Sequence, residues 1–84
     1  MKKITGRIIK KFREYLTDEE KAQATLEKYI RDVTAFAAWL GAEPLSKARV
    51  LEYKEYIIAK YAPASVNSML SSLNVFLILL RNMA

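Results

Sequence analysis

The sequence contains few of the residue types that carry out enzymatic chemistry. It has five Tyr but no His and no Cys. The lack of both excludes disulfides, thiolate metal sites and Ser-His or Cys-His catalytic pairs. A tyrosine nucleophile would need an arginine-rich pocket and an acid–base partner, and the sequence supplies neither. We therefore expect these 84 residues to have no catalytic activity, no cofactor and no metal.

A different set of side chains is suited to binding an anionic polymer. These residues fall at helical spacing on the outer faces of two segments: Lys28 and Arg31 on one, and Asn67, Ser68, Ser71 and Ser72 on the other. Exposed helix positions usually carry Glu, Lys, Gln or Arg, whereas Ser and Asn are weak helix formers. Short hydroxyl and amide groups bond phosphate oxygens and let a helix enter a major groove. A second explanation of the same composition stays open: small residues let a neighbouring helix pack closely.

Two long amphipathic helices must position these side chains. The apolar residues of the first follow steps of three and four: Leu26, Tyr29, Ile30, Val33, Phe36, Ala37 and Leu40. The second repeats these offsets 40 residues later: Val66, Met69, Leu70, Leu73, Phe76, Leu77 and Leu80. Gly41 and Pro44 predict the end of the earlier helix. The later one is predicted to start at Ala64 or Ser65, and both starts carry a hydroxyl residue, Thr25 or Ser65.

Two shorter helices complete a predicted all-α fold. One covers about residues 5–16, with Ile8, Phe12, Tyr15 and Leu16 on its apolar face. The other is capped by Ser46 and ends before Pro63. Its predicted inner face consists of Val50, Ile57, Ile58 and Tyr61. We expect Trp39 to pack against the first helix. The chain length allows one domain, spanning residues 1–84.

The charge balance favours a polyanionic partner. The chain carries 14 Lys and Arg against 9 Asp and Glu, for a net charge of +5. Much of the excess lies near the N-terminus: Lys2, Lys3, Arg7, Lys10, Lys11 and Arg13. No apolar segment of a signal peptide follows these residues, and the longest apolar run, 75–80, is too short to span a bilayer. We expect a cytoplasmic location and no membrane association.

Two other interpretations remain open. A helical protein-interaction module would dock a partner through the apolar run 75–80 and the small-residue face. A peripheral membrane helix would use residues 2–13. The placement of charge separates the first of these from DNA binding. If Lys28 and Arg31 share one surface with the Ser-rich face, DNA binding is favoured; if they lie apart, protein interaction is favoured.

Three segments together resemble a known family. FREYL at 12–16, TLEKYIRDVTAFAAWL from Thr25 and SVNSMLSSLNVFLILL from Ser65 are similar to helices of the N-terminal SAM-like, core-binding domain of tyrosine recombinases, or phage integrases. The resemblance covers roughly residues 8–82. It implies a compact four-helix orthogonal bundle. This bundle forms half of a C-shaped clamp on a recombination half-site and brings its second and fourth helices to the major groove.

The resemblance also implies partners and roles. Thr25 and Ser65 would contact backbone phosphates, Lys28 and Arg31 would face the groove, and Asn67, Ser68, Ser71 and Ser72 would line the fourth helix. The partners would be double-stranded DNA, a C-terminal catalytic domain of the same parent chain and other recombinase protomers in a synapse. We expect this chain to be a monomeric, non-catalytic fragment of a bacterial or phage-encoded recombinase. The family often has Arg or Lys where Ser68, Met69 and Asn74 stand, which predicts weak phosphate binding.

Overall fold

A computed structural model describes residues 3–82 as four helices. These are α1 (Gly6–Asp18), α2 (Gln23–Leu40), α3 (Lys47–Lys60) and α4 (Pro63–Asn82), and the described residues include no strand. The prediction of an all-α four-helix fold is confirmed.

The helix boundaries follow from local chemistry. Thr5 caps α1 by accepting a 3.3 Å hydrogen bond from the Ile8 N–H, and Ser46 caps α3 in the predicted way, accepting from the Arg49 N–H at 3.2 Å. Gly41 ends α2 with a φ of +65°, a conformation that favours glycine.

The starts of α2 and α4 differ from the prediction. Helix α2 begins at Gln23, after Ala22, and α4 begins at Pro63 itself. Proline suits the first helical position because its missing N–H has no partner there in any case. Thr25 and Ser65 are therefore not caps. Each is the third residue of its helix, in the first turn.

Two hydrophobic cores lie on either side of the α2–α4 pair. The first joins α1 to α2 and α4 through Phe12, Leu16, Leu26, Val33 and Phe76. Phe12 and Phe76 meet there edge to face, with ring centroids 5.1 Å apart. The second joins α3 to the same pair through Phe36, Leu40, Leu45, Tyr53, Ile57, Val66 and Leu73. Because α2 and α4 contribute to both cores, the two helices that carry the candidate site are firmly fixed against each other.

The inner face of α3 is partly different from the prediction. Ile57 is buried as expected, but Ile58 is 61% exposed and Tyr61 is 41% exposed. Tyr53, which the pattern does not predict, is buried in their place at 2% exposure. Among the helices within residues 3–82, α3 packs onto α2 and α4 but not onto α1. Its buried stripe is therefore narrow, and Ile58, turned about 100° from Ile57, falls outside it.

Trp39 also has a different neighbour from the one predicted. It packs on α3 rather than α1, with its ring centroid 5.1 Å from that of Tyr53. The Arg49 guanidinium lies over the indole at 4.5 Å and completes a cation–π contact. Trp39 lies three residues after Phe36, and this spacing places both rings on the side of α2 that faces α3.

Helix α4 is long and apolar enough, by length and composition alone, to cross a membrane. Its apolar side chains have another role in this fold. Val66, Leu73 and Phe76 are buried between the other three helices. A helix that contributes buried side chains to two hydrophobic cores is expected to be this apolar.

Candidate nucleic-acid interface

A groove between α2 and α4 brings together half of the predicted site residues. Its volume is about 330 Å³. It is lined by Lys28, Arg31, Asp32 and Ala35 from α2, Ser65, Ser68 and Met69 from α4, and Tyr61 at the end of α3. Lys28 and Arg31 thus share one surface with the start of the Ser-rich face. By the criterion of charge placement given above, this arrangement favours DNA binding over protein interaction.

A hydrogen-bond network crosses the wall of this groove. The Lys28 ammonium donates to Asp32 Oδ2 at 3.1 Å, to the Ser68 carbonyl oxygen at 2.9 Å and to Ser72 Oγ at 2.8 Å. The Ser72 hydroxyl in turn donates to Asp32 Oδ2 at 2.7 Å. Asp32 is 8% exposed and Ser72 is fully buried. A buried carboxylate needs such partners, so the network satisfies the charge of Asp32.

The predicted position of Ser72 is therefore wrong. The helical spacing predicts it on the margin of the outward face, but its side chain is 0% exposed and lies inside the network. The side chain therefore has no surface on the outward face of α4, where the spacing predicts it. The reason is tertiary: α2 crosses α4 at this turn, and Lys28 and Asp32 cover the hydroxyl.

The other predicted residues lie at the surface. Arg31, Ser65, Asn67 and Ser71 are exposed, and Thr25, Lys28 and Ser68 are half-buried. Arg31 forms no ion pair within residues 3–82, in contrast to Lys28. The Ser71 hydroxyl donates to the Asn67 carbonyl oxygen one turn earlier, at 3.1 Å. This local bond satisfies the hydroxyl proton and leaves the Ser71 oxygen lone pairs facing solvent.

Tyr61 is a groove residue that the helical pattern misplaces. The pattern assigns it to the inner face of α3, but it follows the last residue of that helix and its ring reaches the groove. The ammonium of Lys60 lies 5.6 Å from the centre of this ring and donates to the Tyr56 hydroxyl at 2.9 Å. That hydrogen bond, together with the nearby Tyr56 and Tyr61 phenols, raises the pKa of Lys60 above its ordinary value. Pro63 is the signal in the sequence: it disfavours the helical conformation at Ala62, so α3 ends just before it, and Tyr61 already has an extended backbone with φ of −119° and ψ of 159°.

The basic run of the N-terminus is only partly described. Lys2 lies outside the described residues. Arg7, Lys10, Lys11 and Arg13 are exposed on α1, and none of them lines the groove. The apolar side of α1 carries Phe12 and Leu16, which are buried, and Ile8 and Ile9, which pack against the first core. Within residues 3–82 this helix therefore turns its apolar side to the protein rather than to lipid.

The apolar run 75–80 is also committed to the interior. Phe76 is buried, and Val75, Leu77, Leu79 and Leu80 pack against the two cores. Ile78, which is 49% exposed, is the exception. The apolar run that the protein-interaction hypothesis uses is thus largely occupied by the fold itself, whereas the small-residue face that it also uses stays at the surface.

Comparison with known proteins adds one finding to this geometry. Residues 8–80 match the family model described as "Phage integrase, N-terminal SAM-like domain". No curated protein and no solved structure gives a significant match to the chain. The matched range includes every residue that lines the groove.

Proposed function

The chain belongs to the family of phage integrase N-terminal SAM-like domains, and we propose that it binds double-stranded DNA at a recombination core half-site as part of a tyrosine recombinase. The groove between α2 and α4 is the surface that meets the DNA. The observation that carries this proposal is the shared surface of Arg31, Ser65 and Ser68 in that groove.

These side chains supply the chemistry that a DNA backbone requires. A guanidinium presents five N–H donors in a fixed fork that matches phosphate oxygens, and its charge displaces counterions from the polymer. Ser65 adds a short hydroxyl beside Arg31, and the Tyr61 phenol extends the groove towards Lys60. Asn67 and Ser71, exposed along α4, are the proposed contacts to base edges or further phosphates.

The domain is proposed to position a recombinase rather than to cut DNA. These 84 residues contain the N-terminal SAM-like domain and no catalytic domain. We take residues 1–84 as one core-binding domain. Strand cleavage then belongs to a C-terminal domain of the parent chain, and other protomers complete the synapse. Such a protein acts where the DNA is, in the cytoplasm of a bacterial cell.

Binding by this domain alone should be weak and strongly dependent on salt. The logarithm of the binding constant falls with the logarithm of salt concentration by about 0.9 for each phosphate neutralised. Arg31 is the exposed cation that lines the groove, and Lys60 and the basic residues of α1 lie outside it. The salt dependence of duplex binding should therefore correspond to the neutralisation of a few phosphates.

The test is a titration of labelled duplex at several salt concentrations with the wild type and two matched variants. Arg31→Gln removes a charge from the groove. Arg81→Gln removes the same charge from the last turn of α4, sixteen residues and about 24 Å along the helix from Ser65. We expect Arg31→Gln to lower affinity and to reduce the salt slope by about 0.9, and Arg81→Gln to change neither. A folded wild type that binds no duplex at low salt contradicts the proposal, as do equal losses in the two variants.

A further inference from the structure

We propose that Lys28 is a positioning residue and not a DNA contact, and that Asp32 restrains the affinity of the groove for phosphate. Lys28 lines the groove and is basic, so it is an obvious candidate for phosphate binding. The network around its ammonium points to a different role. This inference rests on the proposed function, since it concerns which cation of the groove meets the DNA.

The first argument is the number of hydrogen-bond donors. A lysine ammonium has three N–H donors and no acceptor. In this fold all three are used inside the protein, on Asp32, on the Ser68 carbonyl oxygen and on Ser72, at 2.8–3.1 Å. A phosphate oxygen could bond Lys28 only by displacing one of these partners. Arg31 has no ion-pair partner within residues 3–82, so its fork is available.

The second argument concerns charge. Asp32 lies 3.1 Å from the ammonium and is itself 8% exposed, so the pair adds a cation and an anion to the same wall of the groove. Its net contribution to the attraction of a phosphate is close to zero. The cancellation arises because the carboxylate repels any phosphate that the ammonium attracts. Loss of the Asp32 charge should therefore release Lys28 for phosphate binding.

The third argument is geometric. Lys28 reaches from α2 to two residues of α4, Ser68 and Ser72, that are one turn apart. Arg31 follows Lys28 by about one turn of α2, and Ser65 precedes Ser68 by about one turn of α4. By holding the two helices together one turn away, the network keeps the α2 position of Arg31 on the same groove as Ser65 at the start of α4. Its function is to hold the two helices at the separation that the DNA-facing residues need.

The experiment compares salt slopes of duplex binding for three variants. Lys28→Gln with Asp32→Asn removes one charge of each sign, so the net charge stays +5 and polar groups remain at both positions. We expect this double variant to keep the wild-type slope, because no phosphate contact is lost. Asp32→Asn alone should increase the slope by about 0.9, because one cation is released, and Arg31→Gln should decrease it by about 0.9.

The gain expected for Asp32→Asn is the decisive readout. If the pair only holds the helices together and Asp32 does not restrain phosphate binding, Asp32→Asn weakens binding without a steeper salt slope. Circular dichroism of each variant tests whether it is folded. If Asp32→Asn does not fold, the salt slope of the double variant still tests whether Lys28 contacts phosphate. If the salt slope of the double variant decreases as much as that of Arg31→Gln, this inference is overturned, while DNA binding by the domain is not. A wild type that does not bind duplex overturns the proposed function, and this inference with it.

Discussion

Replacement of Ser72 by Ala should destabilise the domain far more than replacement of its neighbour Ser71. Ser72 is fully buried and bonds two charged groups, accepting from the Lys28 ammonium at 2.8 Å and donating to the Asp32 carboxylate at 2.7 Å. Ser71 is exposed, and its hydroxyl bonds only the carbonyl oxygen of Asn67 in its own helix. The two substitutions are chemically identical and adjacent in the chain, so they differ only in tertiary environment.

The magnitude follows from the partners. A hydrogen bond to a charged group contributes about 1.5–3 kcal/mol. The Lys28 side chain is 29% exposed, so water replaces part of its loss, whereas the Asp32 side chain is only 10% exposed. A loss of about 2 kcal/mol, less about 0.5 kcal/mol gained from the better helix propensity of Ala, leaves about 1.5 kcal/mol. For a domain of this size that is a decrease of about 6–12 °C in Tm.

Thermal and urea unfolding followed by far-ultraviolet circular dichroism measure both variants directly. Ser71→Ala should stay within about 0.5 kcal/mol of the wild type and tend to stabilise α4. If Ser72→Ala unfolds at the same midpoint as Ser71→Ala, the buried network does not stabilise the native state, and Ser72 does not hold α2 against α4.

Two further predictions concern α2 and α3. Burial raises the pKa of Tyr53 to about 12, with a smaller contribution from the nearby Tyr61, so the fold favours the neutral phenol. The resulting stability is complete below the unfolded pKa of 10 and is lost as pH rises towards about 12. Urea unfolding across that range should show this loss in the wild type and not in Tyr53→Phe, and equal losses in both proteins would refute the assignment. Gly41→Ala should cost about 1–2 kcal/mol because of its φ of +65° alone, since an added Cβ meets no atom within 4 Å. Gly6→Ala, equally open but without a positive φ, is the control and should not destabilise the domain.

The sequence was sufficient to predict the helices because each is amphipathic with a helical period. The stripes of α2 and α4 contribute residues to both cores, and Ser46 and Gly41 mark boundaries that the structure confirms. Periodicity determines which side of a helix is apolar. It does not determine which other helix covers that side, and for this reason the expected contact of Trp39 with α1 is wrong and the indole packs on α3.

The candidate site was predictable only where it depends on single helices. The spacing of Lys28 and Arg31 places both on one face of α2, and the groove contains both. The prediction for Ser72 is wrong because its burial depends on residues 40 and 44 positions earlier in the chain. The i, i+4 spacing of Lys28 and Asp32 is a visible sign of an ion pair, but it gives no information on the α4 partners. Tyr61 joins the groove through the turn between α3 and α4, which no helical period describes.

The contact between Lys28 and α4 also has a consequence for how the domain folds. The residues it joins are 40 and 44 positions apart in a chain of 84, so about half of the chain must be arranged before the contact forms. Contacts of such high sequence separation form after local helices in the folding of small proteins, because the intervening segment loses entropy on closure. The groove is thus a product of the complete fold and is absent from any partly folded intermediate that lacks α4. The proposed DNA binding through this groove therefore requires a molecule in which α4 has already packed against α2.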